Sequence, residues 1–110
     1  MSPAEQKPEP FPVGTAPLSK EEAEKLAKEI PQWTLKEREI EREFKFKDFR
    51  EAVHFVNKVS AIAEEEDHHP DIHILYNKVR LVLSTHKIGG LSKKDFSLAA
   101  KIDGLTGDGA

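Results

Sequence analysis

The chain has 110 residues, 34% of them charged, a formal net charge of −3 and no cysteine. That length holds one domain with a single core. The missing thiols exclude disulfides, thiolate nucleophiles and thiolate metal sites. Lys and Arg scattered among Glu, without a basic face, argue against a nucleic-acid binder. No apolar run approaches the ~20 residues of a membrane span and no signal-peptide core opens the chain, so a cytoplasmic protein is expected.

Five of the seven prolines fall within the first 17 residues, and residues 1–17 read as an extended, flexible leader. The glycine-rich end, 104–110, reads as a frayed tail. The domain proper is expected over 18–103. It opens with "LSKEEAEKLAKEIP", where Ser19 and Glu22 have the spacing of a capping box and Pro31 stops the helix. In "WTLKEREIEREFKF" apolar residues recur with period two at Trp33/Leu35 and again through Ile40, Phe44 and Phe46, with Arg42 in the same phase. That pattern predicts two half-buried strands with a charged turn between them.

Asp48 followed by Glu51 signals a second helix start, and Phe49, Ala52, Val53, Val56, Val59 and Ala63 mark one apolar face running to about Glu66. Pro70 cannot continue that helix, so His68 and His69 fall at or just beyond its end. "IHILYNKVRLVLSTH" then alternates on either side of Asn77-Lys78 and predicts a hairpin with its tight turn there. Ser92 caps a last helix with Asp95 at its third position, and Leu91 and Phe96 fit a hydrophobic staple. The order α-β-β-α-β-β-α with short turns predicts an α+β two-layer sandwich: a four-stranded antiparallel sheet with three helices on one face.

Four of the five histidines lie between positions 68 and 86. Glu64 stands four residues before His68, an i,i+4 spacing that lets the side chains meet on a helix. The helix end adds partial negative charge, and both neighbours suit an imidazole that donates a proton near neutrality. His86, at the end of the last strand, precedes the flexible "KIGG", and Asp95 could orient it or cap the helix. A cleft holding two or three imidazoles suits a reaction in which one proton is delivered and another removed. Plainer readings stand beside this one. His73 alternates out of phase with Ile72 and Ile74 and reads as an outward strand residue. His54 reads as surface, Trp33 as core and Tyr76 as packing near the turn. The acidic run 64–67 reads as a solvated helix end. A metal site is disfavoured, because neighbouring His68 and His69 rarely both turn onto one ion and no H-E-x-x-H helix is present.

Together these residues carry a resemblance. Glu64, three positions, His68-His69-Pro70, five positions, Tyr76, nine positions, His86, eight positions, Asp95 is the pattern of the pterin-4a-carbinolamine dehydratases, also called 4a-hydroxytetrahydrobiopterin dehydratases. "FKFKDF", "YNKV", "LSTH", "GGLSKKDF" and the upstream Trp33 are similar to that family too, so the likeness covers roughly residues 18–103. It implies a hydro-lyase that removes water from a 4a-hydroxytetrahydropterin in tetrahydropterin recycling, without metal or organic cofactor. It further implies that His68 and His86 form an acid–base pair and that His69 holds or polarises the pterin. Glu64 would support His68 and Asp95 would support His86, with His69, Pro70, Ile72 and Tyr76 facing substrate. Many relatives have Trp where this chain has Ile72, which removes a π face from that position. The family fold agrees with the element order above, and its members commonly form dimers or tetramers. Some relatives act as dimerisation cofactors or in protein assembly, so a non-enzymatic binding module, or action on another pterin, is the alternative reading.

Overall fold

A computed structural model describes residues 16–106; the expected leader and tail lie largely outside that range. Helix α1 spans Lys20–Ala27, strands β1 Thr34–Leu35 and β2 Ile40–Lys45, helix α2 Phe49–Glu66, strands β3 Asp71–Leu75 and β4 Lys78–Leu83, and helix α3 Lys93–Gly104. The α+β element order is the one read from the sequence. The sheet is antiparallel throughout, in the order β1-β2-β4-β3, so two hairpins are joined through their second strands.

Register decides which side chains meet the helices. Leu81 pairs with Arg42 on one side and Ile72 on the other, and Val79 with Phe44 and Ile74. These residues share one face, because side chains alternate along a strand. On that face Ile40, Phe44, Val79, Leu81 and Leu83 form one cluster with Ala52, Phe55 and Val59 of α2 and Leu98, Ala99 and Ile102 of α3. Each fully buried aliphatic or aromatic side chain contributes about 1.5–3 kcal/mol by leaving water.

The caps behave as their spacing predicts. The Ser19 hydroxyl accepts from the Glu22 N–H (3.1 Å) and the Glu22 carboxylate from the Ser19 N–H (3.0 Å). Asp48 accepts from the Glu51 N–H at 2.9 Å. Leu91 and Phe96, flanking the cap of α3, are both buried. That helix continues through Gly104, and Leu105 packs against the core.

Three local expectations are corrected. The buried stripe of α2 runs through Phe55 rather than Phe49, which is 52% exposed; Phe55 packs its ring at a tilt against Phe44 and Phe46 on the sheet (centroids 4.7 and 4.9 Å). The hairpin turn falls on Tyr76-Asn77, one residue earlier than Asn77-Lys78. The Asn77 amide donates to the Phe46 carbonyl (3.0 Å) and the Phe46 N–H to the Asn77 carbonyl (2.8 Å). These bonds anchor Asn77 and leave Tyr76 to take the positive φ of 59°. Tyr76 is consequently 69% exposed rather than packed. Finally, β4 stops at Leu83, and His86 stands in a single 3₁₀ turn, His86–Ile88. Among the described residues no helix is long and apolar enough to cross a membrane.

Candidate active site

The chain entering β3 carries His68 and His69, and its geometry follows from how α2 ends. Asp67 adopts the left-handed conformation (φ 53°, ψ 41°), a region that Asp tolerates better than most residues. The Asp67 N–H donates to the Glu64 carbonyl (3.3 Å) and the His68 N–H to the Ala63 carbonyl (3.1 Å), the paired bonds of a Schellman ending. His68 therefore leaves the helical path.

That exit overturns the expected carboxylate pairing. Once the helix ends at Glu66, the i,i+4 relation no longer brings Glu64 to His68. Glu64 instead meets His69, with Oε2 2.5 Å from Nε2, and both side chains are more than half exposed. His68 turns inward and its Nε2 lies 2.5 Å from Asp95 Oδ1 on α3. Its side chain is 12% exposed and that of Asp95 fully buried. Asp95 serves as cap and partner at once. Its Oδ2 accepts from the Ser92 N–H (2.9 Å) and from the Thr85 hydroxyl (2.8 Å), and Thr85 Oγ1 is 2.8 Å from Ser92 Oγ.

The register explains the convergence. Asp71 pairs with Val82, so carrying the antiparallel ladder outward sets His69 across from Ser84 and His68 across from Thr85. His86 follows directly, and its Nε2 makes a weak contact of 3.4 Å with Ser84 Oγ. Its loop is closed by paired backbone bonds between Thr85 and Gly90 (2.8 and 3.4 Å). The two glycines there have separate reasons. Gly89 takes a left-handed φ of 73°, and a Cβ on Gly90 would lie 2.8 Å from Pro17. Behind this turn a cavity of about 760 Å³ is lined by α1, the β1–β2 turn and Gly89–Leu91, with no histidine in its wall.

The structure thus gathers Glu64, His68, His69, His86 and Asp95 at one end of the β3–β4 hairpin. Pro70 is half-buried beside them. Ile72 is half-buried too and packs against the core. Tyr76 is not brought in: it sits at the other end of the hairpin, roughly 20 Å of strand from His69. His73 is exposed on the outer face opposite Arg80, and His54 is exposed on α2. Among the described residues no group of three or more His, Cys, Asp or Glu is placed to hold a metal ion. Thr85 escaped the sequence reading, although a signal was there. It continues the inward phase of Val79, Leu81 and Leu83, and a hydroxyl in a buried phase needs a partner.

The fold and this cluster define an α+β domain with a buried histidine–aspartate pair at a hairpin base. The family model for pterin 4 alpha carbinolamine dehydratase matches residues 16–105, and the chain belongs to that family. A protein of Nitrosomonas eutropha named "Putative pterin-4-alpha-carbinolamine dehydratase" is 47% identical over 103 residues, covering 93% of this chain and 91% of its own. A relative of Gloeobacter violaceus bearing the same name with the suffix 2 is 52% identical over 89 residues, covering 77% and 97%. The crystal structure of a transcriptional coactivator/pterin dehydratase from Brucella melitensis is similar at a TM-score of 0.77 and 33% identity, covering 83% of this chain and 99% of that one. A pterin dehydratase-like RuBisCO assembly factor of the alpha-carboxysome shares the fold at a TM-score of 0.57 and 22% identity, over 68% of this chain and 87% of its own.

Proposed function

We propose that the chain dehydrates a 4a-hydroxytetrahydropterin to quinonoid dihydropterin and water by histidine acid–base catalysis, in tetrahydropterin recycling. The observation that carries this reading is the His68–Asp95 contact, an imidazole held by a fully buried carboxylate in a chain of this family. In the reaction a base takes the N5 proton, the N5–C4a double bond forms, and the C4a–O bond breaks as an acid protonates the departing hydroxyl. One proton is taken and one is given, so the protein ends with the charge it began with. Two positioned imidazoles are enough, each contributing roughly 10²–10⁴-fold.

In this reading His68 and His86 exchange the two protons. His69, steadied by Glu64, holds or polarises the pterin, and Pro70 and Ile72 contribute to its surroundings. Asp95 supports His68 rather than His86, and Tyr76 is left out of its own protomer's site. Assembly into a dimer or tetramer belongs to the same proposal, since β3 is an edge strand with Ile74 and Leu75 40% and 53% exposed.

Stopped-flow ultraviolet absorbance of freshly generated 4a-hydroxytetrahydropterin tests the reading. Wild-type protein should accelerate the decay. His68→Ala and His86→Ala should each lose roughly 10²–10⁴-fold in kcat, whereas His69→Ala should chiefly raise KM. Folded wild-type protein that leaves the decay at its uncatalysed rate would overturn the enzyme reading in favour of a binding module.

A further inference from the structure

The hydrogen bonds around Asp95 have a determined direction. The Ser92 N–H can only donate, and the ionised Asp95 carboxylate can only accept. Thr85 Oγ1 lies 2.8 Å from Asp95 Oδ2, which has no proton to give, so the single Thr85 hydroxyl proton is donated there. Its remaining contact, 2.8 Å to Ser92 Oγ, must then be accepted by Thr85 from the Ser92 hydroxyl. Every proton in the network points toward Asp95: Ser92 O–H to Thr85, Thr85 O–H to Oδ2, Ser92 N–H to Oδ2. With Oδ2 occupied twice, Oδ1 is left for His68 Nε2, which must carry a proton to meet it at 2.5 Å.

We propose that Thr85 is a positioning residue for the reaction: with Ser92 it locks Asp95 so that His68 is held as the Nε2–H tautomer and exchanges protons through Nδ1. The inference rests on the dehydratase reading for its kinetic consequence, but its geometry stands without it. Thr85 is 5% exposed, Ser92 5% and Asp95 0%, so no water competes freely for these bonds. The backbone explains why a hydroxyl occurs at this point. Thr85 continues the inward phase two residues beyond the end of β4 and is fixed by its bridge to Gly90, and Asp95 is fixed as the third residue of α3. The hydroxyl spans the segment just past a strand end and the start of a helix. Removing it leaves Oδ2 one donor and frees the carboxylate to turn, so neither imidazole tautomer is then enforced.

Nitrogen-15 NMR of histidine-labelled protein reads the tautomer directly, above pH ~8.5 where an ordinary imidazole is neutral. In wild type, His68 should show a protonated Nε2 and an unprotonated Nδ1. Thr85→Val keeps the side-chain shape and the backbone bridge; it should mix the tautomers and lower kcat about tenfold, with KM within about twofold, a loss of the size expected from a supporting partner. Thr85→Ser should restore both readouts, and Thr85→Ala serves if valine does not fold. A wild-type His68 protonated on Nδ1 would overturn the proposal. So would a folded Thr85→Val that keeps a single Nε2–H tautomer and wild-type kcat. If wild type shows no turnover, the dehydratase reading fails, yet the spectra still decide the lock.

Discussion

Helix α3 buries two aspartates, one near each end, and their surroundings differ in kind. Asp95 faces an imidazole, a hydroxyl and a backbone N–H. Asp103, about 12 Å further along the helix axis, accepts from the Arg42 guanidinium (2.7 Å) and the Trp33 indole N–H (2.8 Å). Arg42 also lies over the Phe44 ring, 4.2 Å from its centroid. Every partner of Asp103 keeps its protons across the physiological range, because guanidinium and indole do not titrate there. Asp95 instead holds the one side-chain type whose ordinary titration falls near neutrality. The same residue type, buried at both ends of one helix, clamps strands in one place and holds an imidazole in the other. Burial of a carboxylate is therefore no guide to chemistry until its partners are named.

The comparison can be broken most sharply at Asp95. Asn at this position keeps an oxygen for Thr85 and Ser92 but presents an NH₂ to His68, which forces the opposite tautomer. Turnover should fall roughly 10²–10⁴-fold, while thermal stability changes little because the cap is retained. Asp103→Ala should do the reverse. It removes the carboxylate that Arg42 and Trp33 share and should cost about 3 kcal/mol of unfolding free energy by urea titration, with kcat per folded molecule unchanged. A smaller effect is expected at the far end of the β3–β4 hairpin. Asn77→Ala loses the bond to the Phe46 carbonyl and should cost about 1 kcal/mol without touching turnover.

The smallest effect concerns acid. Two carboxylates sit below their ordinary value of 4.5: Glu22, through its hydrogen bonds to the Ser19 cap, and Glu41, through the Lys36 ammonium beside it. A lowered folded-state value means stability that is present above the unfolded value and lost as pH falls through the folded one. Glu22→Gln and Glu41→Gln should therefore melt slightly below wild type at pH 7, and the gap should close as pH falls from the ordinary carboxylate value through the lowered one. Glu22 is exposed and Glu41 is still 20% exposed, so the gap is small and shrinks with salt.

Much of this was legible in the chain itself. The caps at Ser19, Asp48 and Ser92, the period-two strands and the Pro-terminated second helix gave the element order, because each depends on residues close in sequence. The grouping of the histidines was legible through their spacing. The carboxylate partners were not. Reading Glu64 against His68 assumed that the helix continued, whereas the left-handed Asp67 ends it. Asp95 reaches His68 across 27 positions, a contact created by sheet register and helix docking together. The turn at Tyr76-Asn77 was misread for a related reason. Asn is the residue expected to take a positive φ, but a tertiary bond to Phe46 fixes it and shifts the strain to Tyr76. Arg42 and Thr85 teach the converse: each is a polar residue in a buried strand phase, a signal noted at Arg42 and overlooked at Thr85, and each belongs to one of the two aspartate networks.

The central claim is that His68, held by Asp95, exchanges a proton with the pterin. The most direct test is the stopped-flow decay of 4a-hydroxytetrahydropterin with wild-type protein and with His68→Gln, whose amide can still donate to Asp95 Oδ1 but cannot exchange a proton. The account predicts rapid decay with wild type and a loss of roughly 10²–10⁴-fold in the variant at unchanged melting temperature. Wild-type turnover retained by a folded His68→Gln protein would contradict it.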